Sequence, residues 1–184
     1  MKVLLHTCCG PCASACVPRL QDDGHEVTMF FSNSNVDTHD EYARRLDAAR
    51  TLAEADGIDL AEDNYNHEAW LSEVAAGYET EPEKGARCAR CFAYNLARAA
   101  AYASAHGYDA FATSLTVSPH KPSAVIFAAS ADLKFLKVDF KKKEGFKLSL
   151  RRSAELGLYR QNWCGCEFSR RARSAEHDAG TERH

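Results

Sequence analysis

The stretch Lys2-Val3-Leu4-Leu5-His6-Thr7-Cys8-Cys9-Gly10-Pro11-Cys12 decides how the rest of the chain is read. The apolar run at 2–7 stops abruptly at Cys-Cys-Gly-Pro, and Pro11 suits the first turn of a helix, where its missing N–H leaves no hydrogen bond unmade. A short strand running straight into a helix (12–22, closed by Gly24) is the opening of a strand–helix–strand unit, and 27–31 supplies the second strand. After the polar loop Ser32-Asn33-Ser34-Asn35, the residues Glu41, Tyr42, Leu46, Ala49 and Ala53 recur at helical spacing, with Glu41 and Arg45 as an i,i+4 pair. Gly57 ends that helix and 58–60 reads as a short strand.

The pattern continues downstream. Residues 68–75 carry Trp70, Leu71 and Val74 on a helix, and 77–85 is a loop. An alanine-rich helix begins just after Cys88-Ala89-Arg90-Cys91 and runs to Gly107. Strands at 111–115 and 135–138 flank a proline-bounded turn and a helix over 123–131. Repeated units of this length predict an α/β fold, a single domain over 1–173 with a mostly parallel sheet and helices on both faces in a Rossmann-like three-layer arrangement. The segment 174–184 has no apolar period and reads as a disordered polar tail.

Composition excludes several classes. With 23 basic and 26 acidic residues the net charge is −3, so the chain is no globally basic nucleic-acid binder, although local basic groups remain open. No apolar run is long enough for a signal peptide or a membrane span. The chain therefore reads as cytoplasmic, where thiols stay reduced unless they bind metal or cycle in catalysis. Its eight cysteines fall in three clusters: Cys8, Cys9, Cys12 and Cys16; Cys88 and Cys91; Cys164 and Cys166.

Cys16, one turn into a helix beside Val17 and Leu20, reads as a small buried hydrophobe. The other seven lie in loops or at helix N-termini, where backbone N–H groups favour a thiolate. Cys9-Gly10-Pro11-Cys12 looks like a thioredoxin tetrapeptide, which makes a disulfide oxidoreductase one reading; Cys8 and the Cys88-x-x-Cys91 pair are then left over. A zinc-stabilised RNA-binding module is a second reading, though adjacent cysteines are an unusual zinc pair. Cys8, Cys9, Cys88 and Cys91 converging from two helix N-termini suit an iron–sulfur cubane better, because its corners are separate irons. In Trp163-Cys164-Gly165-Cys166 the glycine allows the tight loop that a labile bridge needs, with a metal half-site as the alternative.

The residues resemble the QueH-type epoxyqueuosine reductases. The likeness rests on 4–12, on Phe31-Ser32-Asn33-Ser34-Asn35 with Asp40-Glu41-Tyr42-Ala43-Arg44-Arg45, and on the run from Glu81 to Phe92. It continues through Thr113-Ser114-Leu115-Thr116-Val117-Ser118-Pro119-His120-Lys121, Asp139-Phe140-Lys141-Lys142, and Gly157-Leu158-Tyr159-Arg160-Gln161-Asn162-Trp163-Cys164-Gly165-Cys166. The resemblance implies reduction of the epoxide of epoxyqueuosine at the wobble position of tRNA, the last step of queuosine synthesis. It implies a [4Fe–4S] cluster held by Cys8, Cys9, Cys88 and Cys91, and a redox-active disulfide between Cys164 and Cys166. It also implies an additional adjacent iron, for which Cys12 is the natural ligand; Cys12 stands where some members carry a carboxylate.

Epoxide-to-alkene reduction takes two electrons and two protons, so a one-electron cluster needs a second carrier, which Cys164 and Cys166 could supply. No dinucleotide fingerprint or phosphate-binding loop is present, which leaves electrons to an external donor of the ferredoxin or flavodoxin kind. His6, Tyr159 and His120 are the candidate proton donors. Lys141-Lys142-Lys143, Arg151-Arg152 and Arg170-Arg171-Arg173 flank the Cys-Gly-Cys segment and are the candidate tRNA phosphate contacts, with Tyr159 or Trp163 to stack on a splayed base.

Overall fold

Leu4 and Leu5 are both fully buried although they point to opposite sides of one strand, the mark of a sheet covered on both faces. The computed structural model describes residues 1–172. Arg173 and the tail expected at 174–184 lie outside the described residues. Four strands, β1 (Lys2–Thr7), β2 (Glu26–Phe31), β3 (Leu60–Glu62) and β4 (Ala110–Thr113), form an all-parallel sheet in the order β3-β2-β1-β4. Val3, Leu5, Val27, Met29, Phe31, Ala110 and Ala112 face one layer, built from α1 (Gly10–Asp22), α2 (His39–Asp56) and α6 (Gly145–Glu155). Leu4, Phe30 and Phe111 face the other, where α4 (Ala86–Ala105) brings Leu96 and Ala99 and α5 (Ser123–Ala128) brings Ile126. The expected three-layer α/β architecture is what forms. No helix among the described residues is long and apolar enough to cross a membrane.

Several boundaries differ from the sequence reading. Helix α1 starts at Gly10, with Cys9 in extended conformation as its N-cap, so the first thiols sit at its mouth. Strand β3 starts at Leu60 rather than 58, because the Ile58 N–H closes the left-handed Gly57 cap of α2 onto the Ala53 carbonyl at 3.0 Å. The 68–75 helix is α3 (His67–Trp70) continued as a wide turn over Leu71–Ala75. Helix α4 begins before the cysteine pair, not after it: Glu81 Oε2 accepts the Ala86 N–H at 3.1 Å and caps the helix early, placing Cys88 and Cys91 in its first two turns. Strand β4 ends at Thr113, and Ser114–Val117 is a 3-10 turn.

The expected strand at 135–138 is a correction. Only Phe135 bridges Phe111; the Val138 N–H then turns back to the Leu136 carbonyl at 2.9 Å, which takes the segment out of the ladder. Helix α6 is absent from the sequence reading; its fully buried positions form a stripe of small residues, Gly145, Ser149 and Ser153, with Phe146 and Leu148 half-buried beside it. That stripe lets α6 lie close on α1. Pro18, inside α1, has no N–H for the Ser14 carbonyl, and Arg152 of α6 donates to that oxygen instead at 2.7 Å.

Candidate metal and redox centre

In a parallel sheet, the loops leaving the carboxyl ends of the strands meet where the chain changes direction across the sheet. Here that point lies between β1, whose successors β2 and β3 are laid to one side, and β4 on the other. Cys8 and Cys9 follow β1 and Ser114 follows β4, so both flank it. The Cys8 N–H donates to Ser114 Oγ at 3.0 Å and the Ser114 hydroxyl donates back to Cys8 Sγ at 3.3 Å. Cys12, one turn into α1, brings its sulfur beside them: the Cys8, Cys9 and Cys12 Sγ atoms all lie within 4.8 Å of one another. Cys16 points away, buried in the core, with its thiol donating to the Cys12 carbonyl at 3.4 Å.

These three sulfurs share charge unevenly. Hydrogen bonds from the Cys12 and Cys9 thiols, backed by the Lys121 charge and the Ser114 hydroxyl, outweigh burial and hold Cys8 well below the usual thiol range. Donation to Cys8 and Cys9 and then burial push Cys12 well above it. Three sulfurs this close are a strong ligand set for a soft metal cation, whose binding would release their protons.

Cys9 and Cys12 of the trio open on a cavity of about 500 Å³, within the size class of small-molecule sites. Cys9, Cys12, Cys88, Cys91, Cys164 and Cys166 all line it, so the fold gathers cysteines from three distant parts of the chain onto one surface. The second group is also dressed with donors. The Lys84 N–H donates to Cys88 Sγ at 3.2 Å, from a backbone in the left-handed conformation at φ 71°. Asn95 Nδ2 donates to Cys91 Sγ at 3.6 Å. Burial, and next the nearby Cys164, push Cys91 well above the usual thiol range; Cys166 is pushed to about 12 by the same two causes. All eight cysteines are free thiols, and the expected bridge between Cys164 and Cys166 is not present in this structure.

The Cys-Gly-Cys loop is tied down from behind. Arg45 Nη1 donates to the Cys164 carbonyl at 2.8 Å and Nη2 to the Trp163 carbonyl at 3.3 Å, while the Asp37 N–H donates to the Gly165 carbonyl at 3.0 Å. Gly165 has φ 131°, and a Cβ there would stand 3.0 Å from Arg45 Nη1, so only glycine fits the turn.

The proton-donor candidates separate clearly. His6 is fully buried beneath the site, Nδ1 facing the Thr113 hydroxyl at 2.8 Å and Nε2 the Ser32 carbonyl at 3.1 Å; burial lowers its pKa, and it does not line the cavity. Tyr159 donates to Glu41 Oε2 at 2.8 Å and is likewise off the cavity wall. His120 lines it. So does Lys121, to which no role was assigned from sequence. Burial works against its charge, but the attraction of Cys164, Cys8, Cys12 and Cys9 prevails and raises its pKa.

The basic groups also divide. Lys141 is built into the fold, donating to the Thr116 and Lys121 carbonyls at 3.1 and 2.9 Å and to Ser123 Oγ at 2.7 Å. Arg152 serves Ser14 and pairs with Asp56. Neither presents a free cation to phosphate. Arg170 pairs with Asp37 at 2.7 Å and lies over the Trp163 ring, whereas Lys142, Arg151 and Arg171 are exposed.

Fold and site together define a parallel α/β protein with a thiol-lined cavity at the switch point of its sheet, where Cys8, Cys9 and Cys12 could hold a metal ion. A family model described as epoxyqueuosine reductase QueH matches residues 3–172. Curated proteins named epoxyqueuosine reductase QueH are similar throughout: that of Acinetobacter baylyi is 35% identical, covering 92% of this chain and 81% of its own. The Thermotoga maritima protein is 32% identical over 95% of this chain and 93% of its own, and that of Streptococcus pyogenes 34% over 91% and 70%. The chain belongs to the QueH family. The thioredoxin-like reading is not favoured: Cys9 and Cys12 share a third sulfur, and the cavity joins them to two further cysteine pairs.

Proposed function

We propose that this chain reduces the epoxide of epoxyqueuosine in tRNA to the cyclopentene of queuosine, as an iron–sulfur enzyme of the cytoplasm. The observation that carries the reading is the gathering of six cysteines on one cavity, two of which, Cys9 and Cys12, form with Cys8 a trio whose donor atoms suit a soft metal. The reaction consumes two electrons and two protons, opens both C–O bonds of the epoxide, and releases one water. Cys8, Cys9, Cys88 and Cys91 would hold a [4Fe–4S] cluster and Cys12 could serve an adjacent iron; the donor set is all sulfur, with N–H and O–H groups already aimed at three of the sulfurs. When bound, the cluster supplies electrons one at a time.

Oxidation of the Cys164 and Cys166 thiols to a disulfide releases two electrons and two protons, the amounts the epoxide requires. An external donor of the ferredoxin or flavodoxin kind then restores the thiols. Lys121, held charged at the cavity wall, suits stabilising negative charge on the departing oxygen. His120, on the same wall and exposed, is the better placed of the histidines to deliver a proton. A base splayed from the anticodon loop would stack on Trp163, and phosphate contacts fall to Lys142, Arg151 and Arg171.

The test is anaerobic purification with iron, sulfide and zinc analysis, alongside turnover of tRNA carrying epoxyqueuosine. About four irons and four sulfides per chain together with turnover supports the reading. Colourless protein with one zinc per chain would overturn it in favour of a zinc-stabilised RNA-binding module.

A further inference from the structure

The polar group buried behind the Cys-Gly-Cys loop is larger than a structural need would ask. Arg45 and Glu41, one turn apart on α2, have side chains only 2% and 3% exposed, and Arg45 Nε donates to Glu41 Oε1 at 2.7 Å. Glu41 Oε2 takes the Tyr159 hydroxyl at 2.8 Å, and the Arg45 guanidinium lies 5.3 Å from the Trp163 ring centre. Burying a charge pair is costly, and well-packed apolar residues would hold two helical turns against a loop at least as well. What apolar residues could not do is fix the direction of consecutive peptide groups.

That is what these groups do. Arg45 holds the carbonyls of Trp163 and Cys164, Asp37 holds that of Gly165, and Ser169 Oγ accepts the Cys164 N–H at 3.2 Å. With the peptide groups turned to α2 and its preceding loop, the Cys164 and Cys166 side chains are left to the cavity, which both line. The fork of the guanidinium matters, since one planar cation reaches two successive carbonyls and a carboxylate in fixed geometry.

We propose that Arg45, braced by Glu41, is a positioning residue that sets how readily Cys164 and Cys166 close into a disulfide. The inference rests on reading those two cysteines as a redox pair. Closing the bridge passes two electrons and two protons out of the thiols; in reverse, dithiothreitol supplies them and is itself oxidised to its cyclic disulfide.

The experiment equilibrates metal-loaded protein with mixtures of reduced and oxidised dithiothreitol, alkylates free thiols, and reads the 164–166 peptide by mass spectrometry. Iron content, kcat and KM are measured on the same samples. Glu41→Gln/Arg45→Met should shift the bridging equilibrium constant by about tenfold or more and lower kcat, with iron content and KM held to within about twofold. Arg45→Lys keeps the charge beside Glu41, and with it the fold, but loses the two-pronged hold; it should give a smaller shift of about threefold. A bridge that forms in the unaltered protein with the same constant in Arg45→Lys overturns the proposal while leaving the redox pair intact. Absence of any 164–166 bridge in the unaltered protein overturns the redox-pair reading, and the proposal with it.

Discussion

Replacing Gly10 by Ala should destabilise this protein, against the usual benefit of alanine in a helix. Gly10 opens α1 where that helix crosses α2, and a Cβ on it would sit 2.4 Å from the Ala48 carbonyl oxygen and 2.7 Å from its carbon. Both are backbone atoms, so no side-chain rotation relieves the overlap. Alanine in place of glycine inside a helix is worth ~0.5–1 kcal/mol in its favour. Forcing a methyl into a closed contact costs ~1–3 kcal/mol and more where backbone must move. The net is a loss of about 2 kcal/mol, or roughly 4–8 °C in Tm for a chain of this length. The displacement also has a direction: α1 carries Cys9 and Cys12 at its mouth, while Arg45 lies one turn before Ala48 on α2. Urea unfolding of the reduced, metal-free protein reads the stability term, and iron content after loading reads the displacement of the thiols. A Gly10→Ala protein with an unchanged or higher urea midpoint would refute the close-approach argument.

Four further outcomes follow from named contacts. Cys88→Ala should lose the cluster's visible absorbance and its iron; full retention would remove Cys88 from the ligand set. A Cys164→Ser/Cys166→Ser protein should keep its iron and lose turnover, and lost iron would make the pair a ligand instead. Asp63 is half-buried, yet hydrogen bonds from Arg98 and Ser32 overcome burial and hold its pKa below the ordinary 3.8. Its contribution is therefore complete above that value and lost as pH falls through the folded pKa, so the stability gap between the unaltered protein and Asp63→Asn should narrow below about pH 4; a constant gap would deny the linkage. Neutralising Lys142, Arg151 or Arg171 should each flatten the salt dependence of tRNA binding by about one unit of slope, whereas Lys141→Met and Arg152→Met should chiefly lower Tm; the reverse ranking would move the tRNA footprint elsewhere.

The fold was legible wherever a hydrophobic period met a glycine or proline stop. The run at 2–7 needed no tertiary information, because a strand buried on both faces is a continuous apolar run. Helix α2 likewise announced itself by Tyr42, Leu46, Ala49 and Ala53 and ended at Gly57 in the left-handed conformation. The failures have equally local causes. Residues 135–138 have the composition of a strand, but ladder pairing is a property of two segments, and only Phe135 finds its place beside Phe111. Helix α6 is missing from the sequence reading because its fully buried positions, Gly145, Ser149 and Ser153, are small residues of low helix or hydrophobic signal, although Phe146 and Leu148 pack beside them.

The site was legible in kind and not in assembly. Spacing singled out seven cysteines in loops and at helix mouths, and six of them line the cavity while Cys8 stands just behind it, in contact with Cys9. Charge runs misled because a run records residue type and not partner. Lys141 and Arg152 look as free in sequence as Lys142 and Arg151, yet one feeds two carbonyls and a hydroxyl, and the other serves a carbonyl that a proline four residues on had left without its donor. The same blindness hid the role of Arg45, which the i,i+4 rule pairs with Glu41 and no more. Its burial turns that pair into something else: a charge that water cannot reach has to be satisfied by protein, and here two further N–H groups, one on each terminal nitrogen, donate to the Trp163 and Cys164 carbonyls at the Cys-Gly-Cys loop. Sequence spacing can name the partner on the same helix, but the partner across 119 residues exists only once β1, α2 and the C-terminal loop have been brought to one edge of the sheet.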